Sequence, residues 1–480
     1  MPEPSRIPLN PSDYFFYSHH RMMQRRSEGG NIAFMMMDID GHIEPDRMRS
    51  ILRSLFLAHP VLMARLKISL LSGRPHWRLP DKRESAVEIA TDAAYVFDDL
   101  RTADDARGCM TSFCQQRYLP GWNLTSGPQI RLEHYALPGR ETVFCLRWPH
   151  PLMDAGGTMW LLAELARFGG RDANATPGSA PLPPDGPRPD HACIDPLADL
   201  SMMKKLSLFL ESFSAQRRHG KFKINTLFDE KPPPFRDQSF IHRHWNAERF
   251  QRIRDHAKRS TPPGPGIYAR YLAACVFRAL HRIFSDRGVN TDAYTITMPM
   301  NIADLAASNS SHVPRPIPGN YLVSPTLWAR REIIEDKTAL AEDIFRQFNT
   351  YLETQTPLKQ WAMIWAASLA RASVYQWLMR LPLGLEALSS GFSYYGEIAR
   401  PLRDFCGAKV SNLWGASPLP TPPGWNPAFS KFGDQINLSL TYARPAIDDA
   451  LARRYVDLIE EEAFDGTQSS EPRPQSEPRP

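Results

Sequence analysis

The sequence predicts an α/β chain of two halves, each a two-layer α+β sandwich of sheet and helices. Three observations point to it. Strand-like and helical runs alternate along the 480 residues. Two proline-rich stretches, "TPGSAPLPPDGPRPD" and "DEKPPPF", divide the chain near its middle. With 42% apolar residues, the chain can bury one large core or two ordinary ones.

In the first half, "NIAFMMMDID" reads as a strand and "EPDRMRSILRSLFLAHP" as an amphipathic helix stopped before Pro60. "QIRLEHYAL" and "TVFCLRW" read as further strands. In the second half, "SFIHRHW" predicts a strand and "NAERFQRIRDHAKR" a helix capped by Asn246. An apolar helix over Tyr268–Ser285 and the strands "AYTITMPMN", "NYLVSPTLW" and "QINLSLTYA" follow. "AIDDALARRYVDLIEEEAF" closes the fold as a helix with apolar residues at helical spacing. The expected division is an N-terminal unit over 1–170, a linker over 171–235, a C-terminal unit over 236–466 and a disordered tail over 467–480.

Composition excludes several classes. Net charge is only +5, with 57 basic and 52 acidic residues interspersed, so nucleic acid is not an expected partner. The six cysteines include no CxxC pair, which points to a reducing cytoplasm and no structural zinc. The opening "MPEPSRIPLNPSDYFFY" carries prolines and acids where a secretion signal needs a basic start and an apolar core. The most apolar helical region, Trp361–Leu388, is interrupted by Arg371, Arg380 and Pro382, so no membrane span is expected.

The chemistry concentrates in "WPHPLMDAGG", where a strand leaves its sheet through a turn and enters a helix. His150 in that turn is placed to accept a proton from an attacking hydroxyl or amine. Asp154, one turn on, can accept backbone N–H bonds and fix the loop, and the glycines after it permit close approach and positive φ. A strand-to-helix turn favours Asp and Gly with no chemistry at all, so the motif alone decides nothing. There is no third ligand for a metal beside His150 and Asp154, no GxSxG elbow, and no GxGxxG or GxxxxGK[ST] phosphate loop.

The order of these features resembles the acyltransferase superfamily that includes chloramphenicol acetyltransferases, peptide-synthetase condensation domains, wax ester synthases and BAHD enzymes, whose signature is HHxxxDG. Here Pro149 stands for the first histidine, and His150 and Asp154 match the second histidine and the aspartate. Ala155 follows, with the glycine displaced to Gly156. "LNPSDYFFY", the "HPVLMAR" after the first helix, "TITMPMNIADL", Gly319–Asn320, and Ser411–Asn412 in "KVSNLWG" extend the likeness over residues 8 to 465. The resemblance implies two acetyltransferase-like subdomains around a central channel, with His150 as general base and Asp154 in a structural role. Gly156, Asn320, Ser411 and Asn412 are then expected to line the substrate path.

It also implies transfer of an acyl group from acyl-CoA or an acyl carrier protein to a small hydroxyl or amine acceptor, with no cofactor beyond that co-substrate. The alternatives are an impaired member that binds a thioester or a partner without turnover, and a stand-alone condensing enzyme. The Met- and Trp-rich "WAMIWAASLARASVYQWLM" reads first as core, then as an acyl-chain wall or a weak peripheral membrane contact.

Overall fold

The computed structural model describes residues 6–25, 29–118, 121–170, 196–219, 227, 237–302, 319–379, 388–398, 402–416 and 423–464. The first half runs β1 (Arg6–Pro8), α1 (Pro11–Arg25), β2 (Ile32–Asp40), α2 (Pro45–Ala58), β3 (Arg65–Ile68), β4 (Pro75–Arg78), α3 (Arg83–Ala94), β5 (Tyr95–Asp99), α4 (Ala106–Tyr118), β6 (Arg131–Ala136), β7 (Glu141–Pro149) and α5 (Ala155–Gly169). Helix α6 (Met202–His219) follows. The second half runs β8 (Asp237–Trp245), α7 (Ala247–Ser260), α8 (Ile267–Asp286), β9 (Ala293–Thr297), β10 (Met300–Asn301), β11 (Leu322–Val323), β12 (Thr326–Arg330), α9 (Lys337–Glu353), α10 (Thr356–Ser368) and α11 (Ala372–Met379). It ends with β13 (Ser393–Glu397), β14 (Asp404–Phe405), β15 (Ala408–Ala416), β16 (Trp425–Phe432), β17 (Gln435–Arg444) and α12 (Asp449–Ala463).

The α/β architecture expected from the alternating pattern is present. A six-stranded sheet has the order β14-β15-β2-β7-β6-β5, and a four-stranded sheet the order β13-β16-β17-β8. Each carries its own apolar core, one centred on β2, β7 and α2, the other on α8, β17 and α12. The "MMM" of β2 explains its central place: Met35, Met36 and Met37 are all buried, so both faces of the strand are covered. Helix α2 ends at Ala58 because Pro60 cannot extend it, and Asn246 caps α7 by accepting the Arg249 N–H at 3.0 Å.

The halves do not keep to separate sheets. β15 comes from the second half yet pairs antiparallel with β2, matching Lys409–Ala416 to Asp40–Phe34. It thereby covers the β2 edge that would otherwise present unpaired backbone groups. Phe34 of that sheet packs on Phe240 of β8, which ties the two layers together.

Three expectations shift. The stretch 171–235, read as linker, contains α6, whose Leu208 is buried and whose Glu211 pairs with Lys359 of α10 at 3.1 Å. The proline-rich flanks hid it, and residues 171–195 and most of 220–236 lie outside the described residues. "AYTITMPMN" and "NYLVSPTLW" each divide into two strands at a proline, Pro299 and Pro325, which lack the N–H a ladder needs. The apolar run from Trp361 divides into α10 and α11, where the Ala370 carbonyl accepts the Tyr14 hydroxyl at 2.8 Å instead of continuing the helix. Residues 380–387 and 465–480, including the expected tail, lie outside the described residues. No helix among the described residues is long and apolar enough to cross a membrane.

Leu413 of β15 is fully buried in the first-half core. Leu413→Ala is expected to cost about 2–5 kcal/mol in denaturant unfolding, in one transition for both halves. Two separated transitions would contradict the coupling of the halves through the shared sheet.

Candidate active site

Three segments distant in sequence meet at the C-terminal end of β7: the start of α1, the turn from β7 into α5, and Gly319–Tyr321 from the second half. β7 ends at Pro149, opposite Ile32 of β2, and the His150 N–H then bonds to the Asn31 carbonyl at 2.8 Å. Asn31 is itself held, since its N–H donates to Nδ1 of buried His20 at 3.0 Å. The His20 ring lies so close to Gly30 (φ +117°) that a Cβ there would stand 2.5 Å from it.

Asp154 caps α5. Its Oδ1 accepts the Gly157 N–H at 3.0 Å, while Oδ2 accepts the Tyr321 N–H at 2.9 Å from the second half. The Asp154 N–H in turn donates to the Gly319 carbonyl at 3.2 Å. The carboxylate therefore closes the helix start and clamps the halves together. Neither Gly156 nor Gly157 has positive φ, contrary to the expectation from the motif. Gly157 is required for space: a Cβ there would stand 2.7 Å from the Met153 Cβ. A Cβ on Gly156 would meet Asp154 Oδ1 at 3.2 Å and Asn301 Nδ2 at 3.4 Å, so it too sits in the turn.

The imidazole of His150 is fixed on two sides. Phe16 of α1 stacks on it at 3.8 Å with the rings 16° apart. Nδ1 meets Asn320 Oδ1 at 2.9 Å. The orientation of the Asn320 amide follows from its other end, because Nδ2 lies 2.8 Å from both Asp13 Oδ1 and the His150 carbonyl oxygen, which are acceptors. Oδ1 must then be the end facing His150, so Nδ1 carries the proton and Nε2 holds the lone pair. Burial lowers the imidazole to about 4, against smaller upward pulls from its own carbonyl and from Asn320. The ring is neutral at pH 7.

Asp13 completes this chain of bonds. Asn10 and Asp13 form a reciprocal box at the start of α1: the Asp13 N–H donates to Asn10 Oδ1 at 2.7 Å, and the Asn10 N–H to Asp13 Oδ2 at 3.2 Å. The other oxygen, Oδ1, accepts both the backbone N–H and the side-chain amide of Asn320, each at 2.8 Å. Burial pushes this carboxyl up to about 7 against the pull of the Asn320 and Asn10 donors, and Asp154 nearby adds to the rise. Asn10 Nδ2 also donates to the Asn320 carbonyl at 3.0 Å. The sequence reading did not single out Asp13, Asn10, Phe16 or Asn31. The usable signal was "NPSD", an N-cap pattern with proline at the first helical position.

Ser411 and Asn412 are not brought to His150. Asn412 pairs with Asp38 and Pro149 with Ile32, at opposite ends of β2, which places them roughly 20 Å apart at about 3.3 Å per residue. There Asn412 exchanges amide bonds with Asn437 at 2.8 and 3.0 Å, and Asn437 Oδ1 meets His242 Nε2 at 2.9 Å. Ser411 Oγ donates to the Asp38 carbonyl at 3.2 Å. His59 also lies apart, bonded through Nε2 to Glu164 at 3.0 Å between α2 and α5.

Among the described residues, one buried trio could offer ligands to a metal: Cys114, Glu133 and Cys145. The Arg147 guanidinium already holds Glu133 at 2.9 Å, so a cation there would face a fixed positive charge.

No protein-family model matches the sequence, and no curated protein sequence matches it. Solved structures do match in fold, which is that of condensation domains and of an acetyltransferase. The first condensation domain of the calcium-dependent antibiotic synthetase, in complex with a substrate analogue, aligns with a TM-score of 0.68 at 16% identity, over 96% of this chain and 98% of that one. The trichothecene 15-O-acetyltransferase of Fusarium sporotrichioides aligns with a TM-score of 0.70 at 12% identity, over 96% and 95%. The starter condensation domain of rhizomide synthetase, in complex with C8-CoA and Leu-SNAC, aligns with a TM-score of 0.62 at 13% identity, over 97% and 96%.

Asp154→Asn keeps the shape but replaces one acceptor oxygen with a donor, leaving either Gly157 or Tyr321 without its bond. The expected loss is about 1–3 kcal/mol, read as a lower melting temperature. An unchanged melting curve would contradict the clamp.

Proposed function

We propose that this chain is an acyltransferase, moving an acyl group from a thioester of coenzyme A or a carrier protein to a hydroxyl or amine. The observation that carries the reading is the state of His150: Asn320 holds Nδ1 as a donor, which leaves Nε2 as the basic nitrogen, in a turn shared by both halves. The condensation-domain and acetyltransferase fold supports it as an analogy.

In this reading the acceptor O–H or N–H bonds to His150 Nε2 as its oxygen or nitrogen attacks the thioester carbonyl. The proton passes to Nε2, the new C–O or C–N bond forms, and the carbonyl electrons become an oxyanion. That negative charge stabilises the imidazolium which burial otherwise disfavours. Collapse of the intermediate re-forms the carbonyl and breaks the C–S bond, and the leaving thiolate takes the proton back from Nε2. Phe16 and Asn320 keep the ring from turning through these steps. Asp154 acts by shaping the turn, and Gly156 lies in the same helix start.

The test is a screen of acyl-CoA and carrier-bound donors against hydroxyl and amine acceptors, reading free thiol. Wild type is expected to release thiol in an acceptor-dependent way, and His150→Ala to lose about 10²–10⁴-fold while the chain remains folded. Release only from carrier-bound aminoacyl donors would assign the condensing version. Saturable binding with no thiol release, or near-native turnover by His150→Ala, would overturn the reading. Because the imidazole is held near 4, activity is lost only as pH falls well below the ordinary histidine value of about 6.5. The acid limb of kcat/KM is therefore expected between about pH 4 and 5, and a limb at 6.5 would contradict the buried base.

A further inference from the structure

One apolar surface of this protein takes no part in the site. The β3–β4 turn is a tight hairpin, closed by the Ser69 N–H on the Arg74 carbonyl at 2.9 Å and the Gly73 N–H on the Ser69 carbonyl at 2.8 Å. Its tip carries Leu70 and Leu71, which are 101% and 97% exposed. Two adjacent leucines wholly in water cost solvation free energy and contribute nothing to the fold.

The tip is not alone. Arg371, just before α11, lies against Gly73, its side chain 3.3–3.5 Å from where a Cβ would sit. On α11 the inward side is occupied, since Tyr375 packs edge-on to Tyr14 of α1 at 5.5 Å and Gln376 accepts Arg25 Nη1 at 2.8 Å. The outward side presents Val374 and Trp377, the latter 59% exposed, at the three-residue spacing that puts them on one face. The Arg371–Gly73 contact brings the start of α11 to this hairpin, and on α1 the residue that meets α11, Tyr14, and the residue that meets His150, Phe16, lie about 200° apart around the helix.

Among the described residues, the charged side chains of the β3–β4 hairpin and of α11 with Arg371 are basic: Lys67, Arg74 and Arg371 are exposed, as is Arg25 of α1, which bonds to Gln376 of α11. Residues 65–80 and 354–385 contain no aspartate or glutamate in either segment. We propose that the β3–β4 turn and the outer face of α11 form a docking surface for an anionic phospholipid bilayer. Leu70 and Leu71 enter the headgroup boundary, Trp377 sits at its level, and the four cations meet lipid phosphates. A protruding leucine pair suits a fluid surface, which needs no complementary pocket, better than a folded partner, which does. The expectation of a membrane contact from the Trp-rich segment thus moves outward: Trp361 is buried in a satellite core, and the lipid-facing residues come from α11 and from a hairpin more than 300 residues earlier.

The experiment is co-sedimentation of the full chain with vesicles of phosphatidylcholine alone and of phosphatidylcholine mixed with phosphatidylglycerol. Wild type is expected to partition at least about tenfold more onto the anionic vesicles, with binding weakened by high salt. Leu70→Asp with Leu71→Asp abolishes binding, Arg74→Glu with Arg371→Glu weakens it, and both keep the wild-type circular dichroism, because these side chains face solvent. His150→Ala binds vesicles as wild type does, which separates this surface from the transfer reaction. Failure of wild type to sediment with anionic vesicles overturns the proposal, as does full binding by the leucine variant. A wild-type dimer that the leucine variant dissociates, with no vesicle binding, assigns the face to contact between copies and likewise overturns it.

Discussion

The site depends on the side-chain amide of Asn320. Its oxygen faces the His150 ring, and its nitrogen is shared between Asp13 and the His150 carbonyl. An amide so placed has no second orientation that keeps its bonds, because turning it over sets its oxygen against the Asp13 carboxylate and the His150 carbonyl, acceptor against acceptor. Three pieces of chain with no neighbourhood in sequence are thereby locked to one geometry. Buried polar groups are costly when unsatisfied, so each piece needs the other two.

The larger architecture serves that lock. The Gly319–Tyr321 segment can reach the turn only if the second half is held against the first, and β15 does this by joining the first-half sheet beside β2. Asp154 repeats the theme locally, with one carboxylate oxygen on its own helix and the other on Tyr321. At the far end of β2, Asn412, Asn437 and His242 form a second amide and imidazole network between the sheets. Asn412, expected from the resemblance to line the substrate path, bonds there to Asn437 of the other sheet.

Much of the fold was legible because local physics dictates it. Pro60 ends α2, Asn246 caps α7, and the apolar spacing of the closing helix places α12. His150 and Asp154 were legible as a turn between strand and helix, in which Asp154 caps α5 and His150 Nδ1 meets Asn320. What was not legible is non-local. Nothing near Asp13 in sequence announces a partner 307 residues away, and its helix-start pattern accounts for only one of its two carboxylate oxygens. Likewise "KVSNLWG" reads as a strand without revealing which sheet it joins. Helix α6 was masked by its proline-rich flanks, and the hairpin of Leu70 and Leu71 gained meaning only when the chain set Arg371 beside its Gly73.

The central claim is that the contact with Asn320 fixes which imidazole nitrogen of His150 is the base. ¹⁵N NMR of the protein labelled at histidine, with His150→Ala used to assign the signal, reads this directly. The account predicts a neutral ring at pH 7 protonated at Nδ1, with Nε2 showing the shift of an unprotonated nitrogen. A ring protonated at Nε2, or an imidazolium at that pH, would contradict it.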